Sequence, residues 1–414
     1  MDSINILTFS TLYPNKIQPN HGIFVENRLR HLVASGRVRS VVVAPVPYFP
    51  SNSPLFGRWS QLCQVPRHEA RHGLTIHHPR YPVIPKVGTS LAPALLALGS
   101  LASIRHVQRN GFDFDLIDAH YAYPDGVAAI WLGWLLSKPV VVTARGTDVN
   151  LIPRLRIPRR LIQHALQRAS AIVAVSEALK QAIVDLDFNP ERVTVLRNGV
   201  DLRKFFPQDR EKIRRELAID RPTLISVGHL IERKGHDIVI GALRELPDYV
   251  LLIVGEGPQR ASLQSLATSL GLGSRVRFLG AISHDEMARY YSAADALVLA
   301  SSREGWPNVL LESMACGTPV VASNVWGNPE IVKLSDSGLL MNDRTSKAAA
   351  QAIRSLFGNL PQRAATRRYA ERFSWDETSR GQVDVFTRIL GLSGGSVGLS
   401  QEGRQQRAFD PPFY

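Results

Sequence analysis

The sequence predicts an α/β architecture with a parallel sheet in each of two halves, and three observations carry that expectation. Apolar runs of strand length alternate with helical periodicity along nearly the whole chain, the pattern of βα units feeding parallel sheets. The 414 residues, 44% of them hydrophobic, are more than one core usually organises, so two domains are expected. Strands also hand over to helices at glycine or proline turns, as where the apolar run Ala296 to Ala300 leads to Pro307, a favoured first helical residue.

Taken in order, Ile4 to Phe9 already reads as a first strand, so no cleavable leader is expected. A Pro/Asn/Gly-rich loop with Asn20, His21 and Gly22 then enters an amphipathic helix whose apolar face is Phe24, Val25, Leu29, Leu32 and Val33. The second strand centres on Val41 to Val43, and Tyr48 to Pro85 reads as irregular with one or two short strands. Ser90 to Ile104 is apolar but interrupted by Pro93, Gly99 and serines, so it falls short of the ~18 residues of a membrane span and reads as a buried helix. Asp115 to Asp118 leads to His120, expected at a strand's C-terminal edge, where open α/β sheets bind ligands. Pro139 to Thr143 is the next strand, followed by a turn with Arg145 and Asp148. Arg154, Arg156, Arg159 and Arg160 cluster ahead of the helix that begins at Leu161. Cations at a helix N-terminus oppose its dipole, so a membrane-surface or acceptor-phosphate patch is expected there, with a plain solvated helix start as the alternative. Strands Ala171 to Ser176 and Val193 to Leu196 close this half, with a turn at Asn198-Gly199.

The second half opens with a strand that Gly228 ends and a helix that Gly235 opens, with His229, Arg233 and Lys234 between them. A cation pair beside a helix N-terminus suits a phosphate group. A second strand and turn carry Gly255, Gly257 and Pro258, and a third strand carries Leu279 and Gly280. The stretch Ser302 to Val321 then places Glu304 in a loop and Glu312 in a helix expected over Pro307 to Cys316, which Gly317 and Pro319 terminate. Glu312 lies about 7 to 8 Å along the axis at ~1.5 Å per residue, so two acceptor groups flank a helix start. A ligand anionic in the middle and hydroxylated at both ends matches that layout. A helix with solvated acids matches it as well. The chain closes with an amphipathic helix and a Gly/Ser-rich stretch, residues 391–414, expected to be a mobile tail.

The residues EGWPNVLLESMACGTPVVAS match, nearly throughout, the E-x7-E signature of family 4 of the retaining glycosyltransferases, and the resemblance runs from about Ile4 to Leu390. It implies the GT-B fold, two Rossmann-like domains facing across a cleft. Residues 1–205 would bind the acceptor and 206–375 the nucleotide sugar, with helix 376–390 crossing back to the first domain and RNGVDLRKFFP as the linker. By the same resemblance Glu304 holds hydroxyls of the donor sugar and Glu312 the ribose, with Gly305, Asn308 and Val309 beside them. Gly22 lets the first loop approach the diphosphate, Lys234 and Arg233 meet the leaving phosphate near Gly228, and Gly257 and Leu279 lie by the base. His120 matches a histidine placed over the donor sugar. The sequence departs from the pattern at His229, where Arg is usual, and at Arg145, where His is usual; Asp148 is retained.

Charge suggests partners. The net charge is +13, and residues 1–205 hold 24 Lys and Arg against 13 Asp and Glu, so a basic first half is expected to face an anionic surface or acceptor. Two cysteines, Cys63 and Cys316, fit a reducing cytoplasm. No metal-ligand spacing is legible, and no cofactor is expected. A hydrolase or epimerase acting on the nucleotide sugar is an alternative within the resemblance. A nucleic-acid-binding protein, prompted by a pI near 10.0, lacks a zinc spacing or an aromatic-basic RNA motif in this sequence.

Overall fold

The computed structural model describes residues 3–83, except 52, 54 and 56, and residues 88–392. The expected tail therefore lies, from residue 393 onward, outside the described residues. The first half contains strands β1 (Ile4–Phe9), β2 (Val38–Val43), β3 (Val46–Pro47), β4 (His68–Arg71), β5 (Leu74–His77), β6 (Arg80–Tyr81), β7 (Leu116–His120), β8 (Val140–Ala144), β9 (Ala171–Ala174) and β10 (Val193–Val195). Eight of them form one sheet in the order β10-β9-β8-β7-β1-β2-β5-β4, parallel except for the edge strand β4, while β3 and β6 pair separately.

The segment from Tyr48 to Pro85 is more regular than its sequence suggests. His72 and Gly73 both hold positive φ, 50° and 78°, and supply the two-residue turn that closes the β4–β5 hairpin. The apolar segment near Ser90 also differs from expectation. It belongs to a 22-residue helix, Gly88–Arg109, with Pro93 inside. By length and composition this helix is long and apolar enough to cross a membrane, and 33% of its most apolar stretch is buried. It is thus a half-exposed outer helix rather than a core helix, because only one of its sides meets the sheet and its neighbours.

The second half holds β11 (Thr223–Val227), β12 (Val250–Val254), β13 (Val276–Gly280), β14 (Ala296–Leu299), β15 (Val320–Ser323) and β16 (Gly338–Met341), all parallel in the order β13-β12-β11-β14-β15-β16. Strands β11, β12, β14 and β15 are buried throughout, which explains their unbroken apolar sequences. Helix Trp375–Ile389 packs on the first half: Val383 and Phe386 share a core with Ile6, Val25 and Leu29.

Both sheets reverse direction at one point, β1 beside β7 in the first and β11 beside β14 in the second. Loops leaving neighbouring strands there run to opposite faces, which opens a crevice at the strands' C-terminal ends. The two crevices face each other and form one cleft.

Candidate active site

The cleft has a volume of about 780 Å³. Its floor and walls come from the loops after β1, β7, β8, β11, β12, β13 and β14. Gly22 lines it at the start of helix Ile23–Ala34, with φ 66°, and a Cβ there would lie 2.3 Å from the backbone of Leu12. Glycine is therefore required for the first loop to fold back against itself at the cleft wall.

Glu304 and Lys234 meet at the centre. Lys234 Nζ donates to Glu304 Oε1 at 2.6 Å, Ser301 Oγ donates to the same oxygen at 2.7 Å, and Arg233 Nη1 lies 3.6 Å from Oε2. Burial alone raises the pKa of Glu304, but Lys234 and Arg233 outweigh it, so the carboxylate is held below its ordinary value and stays ionised. Arg233 also donates to the carbonyl of Arg303 at 2.7 Å. Four residues beyond Glu304, helix Asn308–Ala315 begins; Pro307 is its N-cap, with no side-chain cap, one residue later than the sequence suggested. Its first N–H groups are left for a ligand, and Asn308 and Val309 line the cleft.

Glu312 is fixed from behind. His284 Nε2 lies 3.0 Å from Glu312 Oε1, Tyr291 donates to Oε2 at 3.0 Å, and the His284 ring packs edge-on against Phe205 of the inter-domain segment. Burial and the neighbouring Glu312 push Tyr291 well above the ordinary phenol range, so it remains a donor. Glu312 is thus oriented by two side chains that no periodicity in the sequence marked.

On the first-half side the structure corrects several expectations. His120 ends β7 but is 1% exposed and does not line the cleft. Arg145 stands in front of it and donates from Nη2 to His120 Nδ1 at 2.7 Å, while His120 Nε2 faces Asp118 at 3.2 Å. Burial first, and Arg145 as a further cause, lower the His120 pKa to about 4 against the opposing pull of Asp118. His120 is therefore a neutral ring that positions Arg145. Asp148 is fully buried too: its carboxylate accepts backbone N–H groups of Ala122, Arg145 and Gly146 and shapes the turn rather than meeting a ligand.

Gly257 faces the carbonyl of Leu230, where a Cβ would sit at 2.4 Å, so it serves packing, and Leu279 is replaced at the cleft by Ala281 and Ile282. Arg156, Arg159 and Arg160 are exposed on helix Arg156–Arg168, and Arg154 ends the preceding turn; none of the four lines the cleft. Glu330 accepts from Arg197 and from the backbone N–H of Ala178, clasping the two halves together. The remaining expected residues, Gly228, His229, Gly305 and Arg145, do line the cleft.

Sequence reasoning missed Tyr121, Thr147, Asn150, Asn198 and Arg303, which also line it. Tyr121 carries a legible trace only in the structure, a φ of 86° that a non-glycine residue holds at a cost of about 1–3 kcal/mol. Asn198 joins the halves: it accepts from Arg28 and Arg145 and donates to Asn308, and its carbonyl accepts from the Trp306 indole.

Comparison with known proteins agrees with this geometry. The family described as Glycosyl transferases group 1 matches residues 209–373, and Glycosyltransferase Family 4 matches residues 23–204. A Geodermatophilus obscurus D-inositol 3-phosphate glycosyltransferase is 30% identical over 77% of this chain and 76% of its own length. TuaC of Bacillus subtilis, named for teichuronic acid biosynthesis, is 27% identical over 84% of this chain and 88% of its own. Among solved structures, sucrose-phosphate synthase from Thermosynechococcus elongatus superposes with a TM-score of 0.75 at 21% identity, covering 95% of this chain and all of that one. Anabaena HepE in complex with UDP-glucose gives 0.72 at 20% identity over 94% of this chain and 100% of that one. The two-sheet cleft and these matches together make the chain a member of the group 1, family 4 glycosyltransferases, built on the GT-B fold.

Proposed function

We propose that the protein is a retaining hexosyltransferase that moves a sugar from a nucleoside diphosphate to a lipid-linked, phosphate-bearing glycan acceptor in cell-surface polysaccharide synthesis. The observation that carries this reading is the disposition of Glu304 and Glu312 on either side of an uncapped helix start, with Lys234 and Arg233 beside it. A sugar, a diphosphate and a ribose fit that order. A UDP-glucose complex of the similarly folded HepE supports a nucleotide sugar as donor. As the anomeric C–O bond breaks, its electron pair goes to the leaving phosphate, which Lys234, Arg233 and the helix N–H groups stabilise. The acceptor oxygen bonds to the same face of the sugar, and its proton passes to the departing phosphate oxygen. These cations do the work that a divalent ion would otherwise do. Thermal shift with a panel of nucleotide sugars, followed by the anomeric configuration of the product, tests the reading; inversion of configuration overturns the retaining mechanism.

The outer face of the first half supports a place at the inner surface of the membrane. Helices Gly88–Arg109, Val127–Leu136 and Arg156–Arg168 pack side by side. They and the turn before the last of them leave Leu98 71%, Trp134 67%, Leu155 53% and Ile157 57% exposed. Arginines 154, 156, 159 and 160 surround the last two. Apolar side chains ringed by cations match an anionic bilayer, each cation contributing roughly 1 kcal/mol. Co-sedimentation with anionic vesicles is expected to weaken with salt and to fall more than tenfold on changing all four arginines to Gln. Equal binding to neutral vesicles removes the electrostatic argument.

A further inference from the structure

Among the described residues, Arg145 is the one Lys or Arg that the first half contributes to the cleft wall, and it is 9% exposed. Its backbone abuts the loop that carries Glu304: a Cβ on Gly305 would lie 2.2 Å from the Arg145 carbonyl. Its guanidinium reaches toward the second half as well. Nη1 donates to Asn198 Oδ1 at 3.3 Å, and Asn198 Nδ2 donates to Asn308 Oδ1 at 3.3 Å. Asn308 is the first residue of the helix whose start has no side-chain cap, so Arg145 stands two hydrogen bonds from those free N–H groups. Arg28 Nη1 converges on the same Asn198 oxygen at 3.3 Å. Two buried guanidinium groups thus share one neutral acceptor, and among the described residues neither forms an ion pair. Arg145 Nε is buried with no hydrogen-bond partner.

A guanidinium only donates and keeps its charge, so burial leaves it a cation in want of an anion. Asp118 and Asp148 favour that charge against burial and Arg28, but each is committed elsewhere. Asp148 accepts backbone N–H groups of its own turn, and Asp118 meets Arg145 only through the His120 ring. The phosphate that an uncapped helix start attracts lies beside Arg145 and supplies the missing partner. We propose that Arg145 reaches across the cleft to the leaving diphosphate of the donor, as a third cation beside Lys234 and Arg233, and that Asp118 holds it there through His120 as a positioning residue. The inference rests on the cleft being the transfer site and adds a group from the opposite half. The hydrogen bonds that hold Arg145 run in one sense. Because Arg145 Nη2 donates to His120 Nδ1 at 2.7 Å, that nitrogen is an acceptor and the ring proton lies on Nε2, where Asp118 Oδ2 accepts it at 3.2 Å. Gln382 Nε2 donates to the same Asp118 oxygen at 2.9 Å while its Oε1 accepts from Arg28 at 2.7 Å, so the helix that crosses back from the second half fixes the carboxylate. A ring proton on Nδ1 would set donor against donor and displace the guanidinium.

The test uses the full chain and compares the nucleoside diphosphate that gives the parent its largest thermal shift with the matching nucleoside. Arg145→Gln is expected to weaken diphosphate binding about tenfold while nucleoside affinity stays within about twofold of the parent. Turnover is expected to fall further, about a hundredfold, because charge grows on the leaving phosphate as the bond breaks. Retained nucleoside binding also reports an intact cleft. If Arg145→Gln does not fold, Arg145→Lys carries the same comparison: it keeps the charge, loses the paired N–H groups, and is expected to lose about threefold for the diphosphate alone. Asp118→Asn tests the positioning. Nitrogen NMR spectra of the parent are expected to show a neutral His120 protonated on Nε2, as its pKa lowered to about 4 by burial requires, and the variant to carry part of that proton on Nδ1. The same variant is expected to lose about threefold in diphosphate affinity. Equal losses for nucleoside and diphosphate, unchanged diphosphate affinity in both Arg145 variants, or a loss confined to the acceptor's Michaelis constant overturns the role given to Arg145. A parent ring protonated on Nδ1, or an Asp118→Asn variant that binds the diphosphate as the parent does, overturns the positioning. Failure of every nucleoside diphosphate to bind the parent overturns the transfer reading itself, and this inference with it.

Discussion

Glu304→Gln is expected to lower turnover by at least about a hundredfold while leaving the fold intact. The substitution keeps the volume of a buried side chain but removes its charge. Lys234 then faces a neutral amide at 2.6 Å, and the bond from Ser301 loses its ionised acceptor. Hydrogen bonds to a charged group contribute about 1.5–3 kcal/mol each, so losing two of them accounts for a hundredfold or more at the sugar. The fold survives because Glu304 sits in a loop at the cleft, and the strands on either side, β14 and β15, are held by their own apolar core. Turnover at saturating donor, read beside circular dichroism, separates the two effects. Glu312→Gln is expected to differ in kind, weakening nucleotide affinity and changing turnover less, because on the proposed reading the carboxylate that His284 and Tyr291 hold in place meets the ribose. Wild-type turnover in Glu304→Gln would remove the residue from the chemistry.

Much of this site was legible because backbone periodicity and turn chemistry locate strand ends, and ligands gather at strand ends. Glu304, Glu312, Lys234 and Gly22 were found in that way and by resemblance, and all four line one cleft. His120 and Asp148 were misplaced for a common reason. Position along a strand does not reveal whether a later loop will cover a side chain, and Arg145, which stands where the resemblance leads one to expect His, covers His120. The residues that hold the halves together were illegible for a different one. Arg28, Asn198 and Gln382 are joined by hydrogen bonds across separations of 354 and 170 positions, and no local pattern encodes such a pairing. The His72-Gly73 hairpin is an intermediate case, since His-Gly is not one of the Asn-Gly, Asp-Gly or Gly-Gly pairs that mark a two-residue hairpin turn and its signal was correspondingly faint.

Lys234→Ala is expected to lower turnover by about 10²–10³ while changing donor affinity by less than about tenfold. On the proposed reading, the ground-state diphosphate carries its charge already spread over several oxygens and shares it with Arg233 and the helix N–H groups. Charge is added at the bridging oxygen only as the anomeric bond lengthens, so a cation placed there acts mainly on the transition state. The variant also exposes the coupling between the two central residues. Lys234 is foremost among the groups that hold Glu304 below its ordinary pKa, with Arg233 next. Without Lys234, burial prevails and the carboxyl pKa rises. A carboxylate needed in its ionised form is then lost at higher pH, so the acid limb of the turnover profile is expected to move toward neutrality in Lys234→Ala and to remain in place in a variant of the exposed Arg156. In the double variant with Glu304→Gln the losses are expected to fall short of additive, since each partner has already lost the other. A profile that keeps its acid limb, or a rise in Michaelis constant with unchanged turnover, would show that Lys234 binds ground and transition states alike.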